Sequence, residues 1–143
     1  MNKQLIITNL QTLLAAVEAQ PEQNFNLTRY KDEDSACGTL FCTAGLAATL
    51  PTFQEQGLSL VEIDSYSRVK HYMVFVNGDE VDDTEETDKI FGPDAWWNLF
   101  PTFRNGYRDV EFVTYDVNGD SIQTHKELAI FRIKAQLAAV EAA

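Results

Sequence analysis

The first clear pattern along the chain is a helical repeat of apolar residues near its start. Between residues 3 and 19 these residues recur every three or four positions, at Leu5, Ile6, Leu10, Leu13, Leu14 and Val17. This spacing is typical of an amphipathic helix with one buried face, and it assigns Asn9, Gln11 and Glu18 to the other faces. Pro21 and the polar stretch 20–26 predict the end of this helix.

Two further helices are predicted downstream. Residues 27–34 are polar and charged and predict a loop, after which the small residues of 37–49 predict a central helix that ends before Pro51. Residues 125–142 predict a closing helix, because their apolar residues recur at helical spacing. Those residues are Leu128, Phe131, Ile133, Leu137 and Val140.

Between the helices the period changes. Residues 58–76 contain β-branched and aromatic residues and precede Asn77-Gly78, which predicts a strand or hairpin followed by a turn. Residues 110–115 predict another strand. The aromatic segment 90–103, interrupted by two prolines, predicts short helical turns packed into the core. The fold class is therefore α+β: an α-rich single domain with N- and C-terminal amphipathic helices, a small-residue central helix and a small antiparallel sheet.

Composition bounds the class of protein. The chain has 143 residues, of which 45% are hydrophobic and 11% aromatic, so a single domain over residues 1–143 can bury a core without disulfides or metals. The sequence contains no run of about 18 apolar residues, so no membrane span is predicted. The first residues lack the apolar stretch and cleavage site of a secretory signal. We therefore expect a cytoplasmic protein with reduced cysteines.

The charge is strongly negative, since 22 acidic residues against 11 lysines and arginines give −11. Direct nucleic-acid binding is not expected, because phosphate contacts depend on lysine and arginine. An acidic protein can instead bind a basic protein partner, although solubility is the simpler explanation of the charge. Seven acids concentrate in residues 79–88, predicted as an exposed acidic loop, with a helix start as the alternative. They are Asp79, Glu80, Asp82, Asp83, Glu85, Glu86 and Asp88.

Residues 37–45, CGTLFCTAG, contain both cysteines. Zinc needs three or four ligands, and neither His71 nor His125 is spaced to join Cys37 and Cys42. A redox pair usually has two intervening residues, and in a helix a separation of five would place the thiols about 140° apart. Free cysteine behaves as a small buried hydrophobe, so we interpret the segment as a closely packed structural motif. The motif comprises Cys37, Gly38, Thr39, Cys42 and Gly45.

The pattern Cys-Gly-Thr-x-x-Cys-x-Ala-Gly, placed after an amphipathic helix, resembles a family of small uncharacterised proteins from bacteriophages and bacteria. In that family a Gly-Leu segment follows, and later a Leu-Phe near tryptophan. Gly57-Leu58 and residues 96–100 take those places here. The acidic segment 79–88 departs from the family pattern. The resemblance implies a phage or prophage origin, and the family carries no established activity.

Residues 116–127, DVNGDSIQTHKE, match the oxygen-ligand positions of an EF-hand calcium loop. The candidate ligands are Asp116, Asn118, Asp120, the Ile122 carbonyl, Thr124 and Glu127. Ser121 stands where the sharp turn calls for glycine, and a predicted strand precedes the loop where an EF-hand has a helix. The competing interpretation is an Asn118-Gly119 hairpin turn followed by a capping box from Thr124 to Glu127.

No catalytic motif stands out. The chain lacks a Gly-rich phosphate loop and a nucleophile elbow, and no pair of carboxylates is marked by an apolar pocket. The sequence therefore favours a non-enzymatic acidic interaction protein, phage-associated, that binds a basic host or viral protein. Its sharpest form is an inhibitor that mimics nucleic acid. The alternative is a calcium-binding domain with a weakly bound ion, and an enzyme of unrecognised type is a third hypothesis.

Overall fold

The computed structural model is an α+β structure in which long helices and a small antiparallel sheet share one apolar core. It describes residues 2–21, 31–35, 38–41, 43–63, 71–80, 84–99, 114–115, 121–122 and 125–143. In chain order the elements are α1 (Lys3–Ala19), β1 (Lys31–Ser35), β2 (Gly38–Phe41), α2 (Thr43–Thr49), α3 (Pro51–Glu55), β3 (Leu58–Ile63), β4 (His71–Val76), β5 (Asp79–Glu80), α4 (Thr84–Phe91), α5 (Ala95–Leu99), β6 (Thr114–Tyr115), β7 (Ser121–Ile122) and α6 (His125–Ala142). No described helix is long and apolar enough to cross a membrane.

The two longest helices, α1 and α6, pack side by side and run antiparallel. The Lys3 ammonium donates to the backbone oxygens of Glu141 (3.2 Å) and Ala143 (2.7 Å), and the Lys126 ammonium donates to that of Glu18 (2.9 Å). Each helix therefore begins beside the C-terminal end of the other. The lysine near the start of each helix binds carbonyl groups at the end of the other helix, where those groups have no partner within their own helix. Both helices have the bounds predicted from their apolar spacing.

The predicted faces of α1 need two corrections. Asn9, predicted on a polar face, is only 2% exposed, and Leu5, predicted on the apolar face, is 39% exposed. Asn9 follows Ile6 by three residues and precedes Leu13 by four, so it shares the face that those two residues bury. The helix therefore places an amide inside the core, and that amide needs hydrogen-bond partners there.

The structure also corrects the prediction for residues 27–49. Part of the predicted loop is strand β1, which pairs antiparallel with β2, so the helix predicted from residue 37 begins only at Thr43. Strand pairing gives hydrogen-bond partners to the backbone groups on the facing edges of the two segments, and Gly38 is a poor helix former. The remaining helix, α2, is buried from Thr43 to Ala48, which confirms a small-residue central helix.

Strands β3, β4 and β5 form a three-stranded antiparallel sheet in that order. The β3–β4 register pairs Leu58 with Val76, and both residues are buried against the helices. Strands β4 and β5 are joined by Asn77-Gly78, whose φ angles of 49° and 89° are those of a type I′ turn. The hairpin and the turn predicted from the sequence are confirmed.

Helices α4 and α5 bring the aromatic segment into the core. Phe91 and Leu99 are fully buried, and the Phe91 ring centroid lies 5.1 Å from that of Phe53, in a tilted arrangement. The Ala95 backbone N–H donates to Asp88 Oδ1 (3.0 Å), which fixes the start of α5 against α4. The short helical turns predicted here are confirmed as far as residue 99, and the remainder lies outside the described residues.

Candidate functional site

The acidic segment 79–88 is not a loop throughout, which corrects the main prediction for it. Its first two residues form β5 and its last five belong to α4, whose first turn contains Glu85 and Glu86. The tight turn before β5 returns the chain along β4, and carboxylates at a helix start face its unsatisfied N–H groups. The alternative prediction, a helix start, describes the second half of the segment. Asp82 and Asp83 lie outside the described residues.

Asn77 connects three parts of this region. Its backbone N–H donates to the Gly57 carbonyl (2.9 Å), in the turn between α3 and β3, and its side-chain Nδ2 donates to Glu86 Oε2 (2.9 Å). The carboxamide lies directly against Gly57, where an added Cβ would collide with it. Gly57 also has a φ of 108°, which L side chains disfavour. The hairpin turn is thus fixed both to α4 and to the start of the sheet.

Glu86 is held as a carboxylate between two donors. The Lys89 ammonium, one turn along α4, donates to Glu86 Oε1 (2.7 Å). Hydrogen bonds from Lys89 and from Asn77 lower the pKa of Glu86 below its usual value and so favour its ionised form. Because the Lys89 side chain is 68% exposed, solvent screens the pair and it adds little stability. The pair instead fixes the position of the Glu86 carboxylate.

Three described acids lie close along the chain to the residues of this contact, and we call them the acidic edge: Asp79, Glu85 and Glu86. Asp79 lies two residues after Asn77 in the hairpin, Glu85 is the neighbour of Glu86 in α4, and the side chains of Asp79 and Glu85 are exposed. Asp88 does not belong to the acidic edge, since its carboxylate caps α5. Of the described acids predicted as an interaction surface, three therefore make up the acidic edge by their position along the chain, and Asp88 has a structural contact instead.

The cysteine-containing segment is divided between two elements. Cys37 and Cys42 lie outside the described residues, Gly38 and Thr39 lie in β2, and Gly45 is buried in α2. The angle of about 140° between the thiols is conditional on a helix, and because Gly38–Phe41 form a strand, that argument against a disulfide does not apply. The complete burial of the small residues around Gly45 supports the interpretation of this part as a packing motif.

The candidate calcium loop is described only in part. Four of its six candidate ligands lie outside the described residues: Asp116, Asn118, Asp120 and Thr124. Ile122 lies in β7 and pairs with Thr114 of β6, while Glu127 is exposed in the first turn of α6. Strand β6 thus precedes the loop, where an EF-hand has its entering helix. Within the described residues, no three His, Cys, Asp or Glu side chains come together to hold a metal.

Sequence patterns did not reveal a hydrogen-bonded pair of amides, the buried Asn9 and the half-buried Gln56. Asn9 Nδ2 donates to Gln56 Oε1 (2.7 Å), and Gln56 Nε2 donates to Asn9 Oδ1 (2.9 Å). Asn9 Nδ2 also donates to the carbonyl of Ile90 (2.9 Å), in the last turn of α4, where carbonyls have no helical donor. The spacing of Asn9 from its buried neighbours was the one signal that could have located this pair.

Gln136 of α6 also binds carbonyl groups at the C-terminal end of α4. Its Nε2 donates to the carbonyls of Phe91 (3.1 Å) and Pro93 (3.0 Å), and its Oε1 accepts from Asn98 Nδ2 (2.9 Å). Gln136 is 3% exposed, so these bonds satisfy an amide that would otherwise be buried without partners. Through Asn9 and Gln136, the two long helices hold the C-terminal end of α4, and the acidic edge lies at its opposite end.

Comparisons with protein-family models, with curated proteins and with solved structures found no match. The resemblance of residues 37–45 to a family from bacteriophages and bacteria therefore stays a prediction. The functional argument depends on the geometry and the charge of the residues described above.

Proposed function

We propose that this protein is a non-enzymatic acidic interaction module whose acidic edge binds a basic surface of a partner protein. The observation that carries the proposal is the contact between Asn77 and Glu86, which ties a hairpin turn to the first turn of α4. Acids on a free loop would lose conformational entropy on binding, whereas acids on two joined elements are already placed. The acidic edge is thus a preorganised group of charges.

The charge of the whole chain supports the same proposal. A net charge of −11 produces a negative field that accelerates encounter with a positive surface, and the acidic edge then supplies close contacts. A basic nucleic-acid-binding groove is the partner surface that fits this chemistry most specifically, since it is built to hold closely spaced negative charges. In that form the protein is a phage-associated inhibitor that competes with nucleic acid for the groove.

Capture from a bacterial lysate tests this proposal. A tagged copy of the protein is incubated with lysate with and without nuclease, at low and at high salt. We expect a basic partner that survives nuclease treatment and is released by salt, because screening weakens contacts between exposed charges. A partner retained equally at high salt would contradict binding through the acidic edge and would indicate an apolar contact instead.

A further inference from the structure

The turn that positions the acidic edge also has a chemical feature of its own. Asn77 is followed by Gly78, both residues are exposed, and a Cβ placed on Gly78 would meet nothing within 4 Å. Gly78 therefore has no side chain beside its backbone nitrogen, and the residue as a whole is exposed to solvent. We propose that Asn77 is a modification site, which deamidates spontaneously and thereby releases the hairpin turn from α4. This inference does not depend on the proposed partner.

The reaction needs only water as a co-reactant. The backbone nitrogen of Gly78 loses its proton and attacks Cγ of Asn77, so that a new carbon–nitrogen bond closes a succinimide ring. The bond from Cγ to Nδ2 breaks, and Nδ2 leaves as ammonia with the proton. Water then opens the ring at either carbonyl and yields an aspartyl or an isoaspartyl residue. Because attack requires the deprotonated nitrogen, the rate rises with pH.

The product cannot keep the contact that Asn77 makes. In the intact protein Nδ2 of Asn77 donates to Glu86 Oε2, and after deamidation a carboxylate oxygen stands in its place. Two carboxylates would then face each other, and like charges at this distance repel. An isoaspartyl product also lengthens the backbone of a two-residue turn whose register pairs Val76 with Asp79. The modification therefore adds a negative charge to this surface and loosens its geometry.

Peptide mapping tests whether the site reacts in the folded protein. Cleavage after lysine and arginine places Asn77 in peptide 71–89, apart from the two other Asn-Gly pairs at residues 105–106 and 118–119. The full chain is incubated in mildly alkaline buffer with and without denaturant, and the charge and mass of this peptide are followed. We expect conversion in the native protein, at a lower rate than in denaturant because the contacts with Gly57 and Glu86 restrain the Asn77 side chain. Conversion confined to the denatured sample would overturn the proposal.

Substitution tests the structural consequence. Asn77→Asp reproduces the aspartyl product and should lower the melting temperature, because it removes a donor and adds repulsion. Adding Glu86→Gln to that variant should restore it, since the amide introduced at position 86 can donate to the new carboxylate while its oxygen still accepts from Lys89. The release of the hairpin turn from α4 would be overturned if Asn77→Asp had the same melting temperature as the parent. It would also be overturned if the double variant had a melting temperature no higher than that of Asn77→Asp.

Discussion

At the residue scale, Gly92 shows how closely the long helices approach the end of α4. Its backbone N–H donates to the Asp88 carbonyl (2.8 Å), and its φ of 95° ends the helix in a left-handed conformation. An added Cβ would lie 2.9 Å from Val140 Cγ2 and 3.3 Å from Ile6 Cγ2. Glycine is therefore required here both by the backbone and by the helices on either side.

Gly92→Ala should destabilise the protein more than Gly78→Ala. Both glycines have positive φ, so each substitution carries the cost of a left-handed alanine, roughly 1–2 kcal/mol. Only Gly92 is also crowded, which adds the cost of overpacking, roughly 1–3 kcal/mol. Urea denaturation of both variants measures the difference. Equal free energies of unfolding would contradict the close approach of α1 and α6 to Gly92.

The Asn9–Gln56 amide pair supports a second prediction at this scale. Asn9→Ala should cost about 1–3 kcal/mol, because the half-buried Gln56 amide and the buried Ile90 carbonyl lose their partner. Gln11→Ala, at an exposed position of the same helix, is the matched control and should change little. Adding Gln56→Ala to Asn9→Ala should cost less than Gln56→Ala alone. Strict additivity in this denaturation cycle would mean that the pair is not coupled.

At the scale of elements, local patterns were predictable and distant contacts were not. The bounds of α1 and α6 follow from apolar spacing within each helix, and the β4–β5 turn follows from Asn77-Gly78. Strand β1 reads KDEDS, with no apolar alternation, so its pairing with β2 could not be predicted from its own residues. The acids of the candidate site were visible as composition. Their placement depends on contacts of Asn77 with residues elsewhere in the chain, which no local pattern contains.

The antiparallel pairing of α1 with α6 gives a prediction for its lysines. Lys3→Met keeps an apolar stem but removes the ammonium that binds the C-terminal end of α6, and we expect a loss of about 0.3–1 kcal/mol. Lys134→Met, at an exposed position in α6, removes the same charge and serves as the control. The difference between the two in thermal melts should shrink as salt rises. No difference at low salt would argue against this end contact.

At the scale of the whole molecule, one core supports a surface with a large excess of negative charge. The residues that hold the C-terminal end of α4 are neutral amides within the core, whereas Glu85 and Glu86 lie in its first turn, at the other end. This separation lets Asp79 and Glu85 be changed with little effect on folding, because surface substitutions usually shift stability only slightly. Binding and stability can therefore be measured independently.

The calcium hypothesis is also tested on the whole molecule. If residues 116–127 hold the ion, millimolar calcium should raise the melting temperature, by an amount set by the ratio of calcium concentration to dissociation constant. Glu127→Gln should remove that rise, since a bidentate carboxylate closes an EF-hand loop. Magnesium at the same concentration is the control for general screening of negative charge. A melting temperature that calcium leaves unchanged would reject the hypothesis.

The most direct test of the central claim compares two variants that each lose two carboxylates. Asp79→Asn with Glu85→Gln neutralises part of the acidic edge, and Glu18→Gln with Glu141→Gln removes the same charge from exposed positions in α1 and α6. The affinity of each for the captured partner is measured across a range of ionic strength. We predict that the acidic-edge variant binds more weakly and with a shallower salt dependence than the control variant. Equal affinities for the two variants, or an affinity of the parent that salt leaves unchanged, would contradict the account.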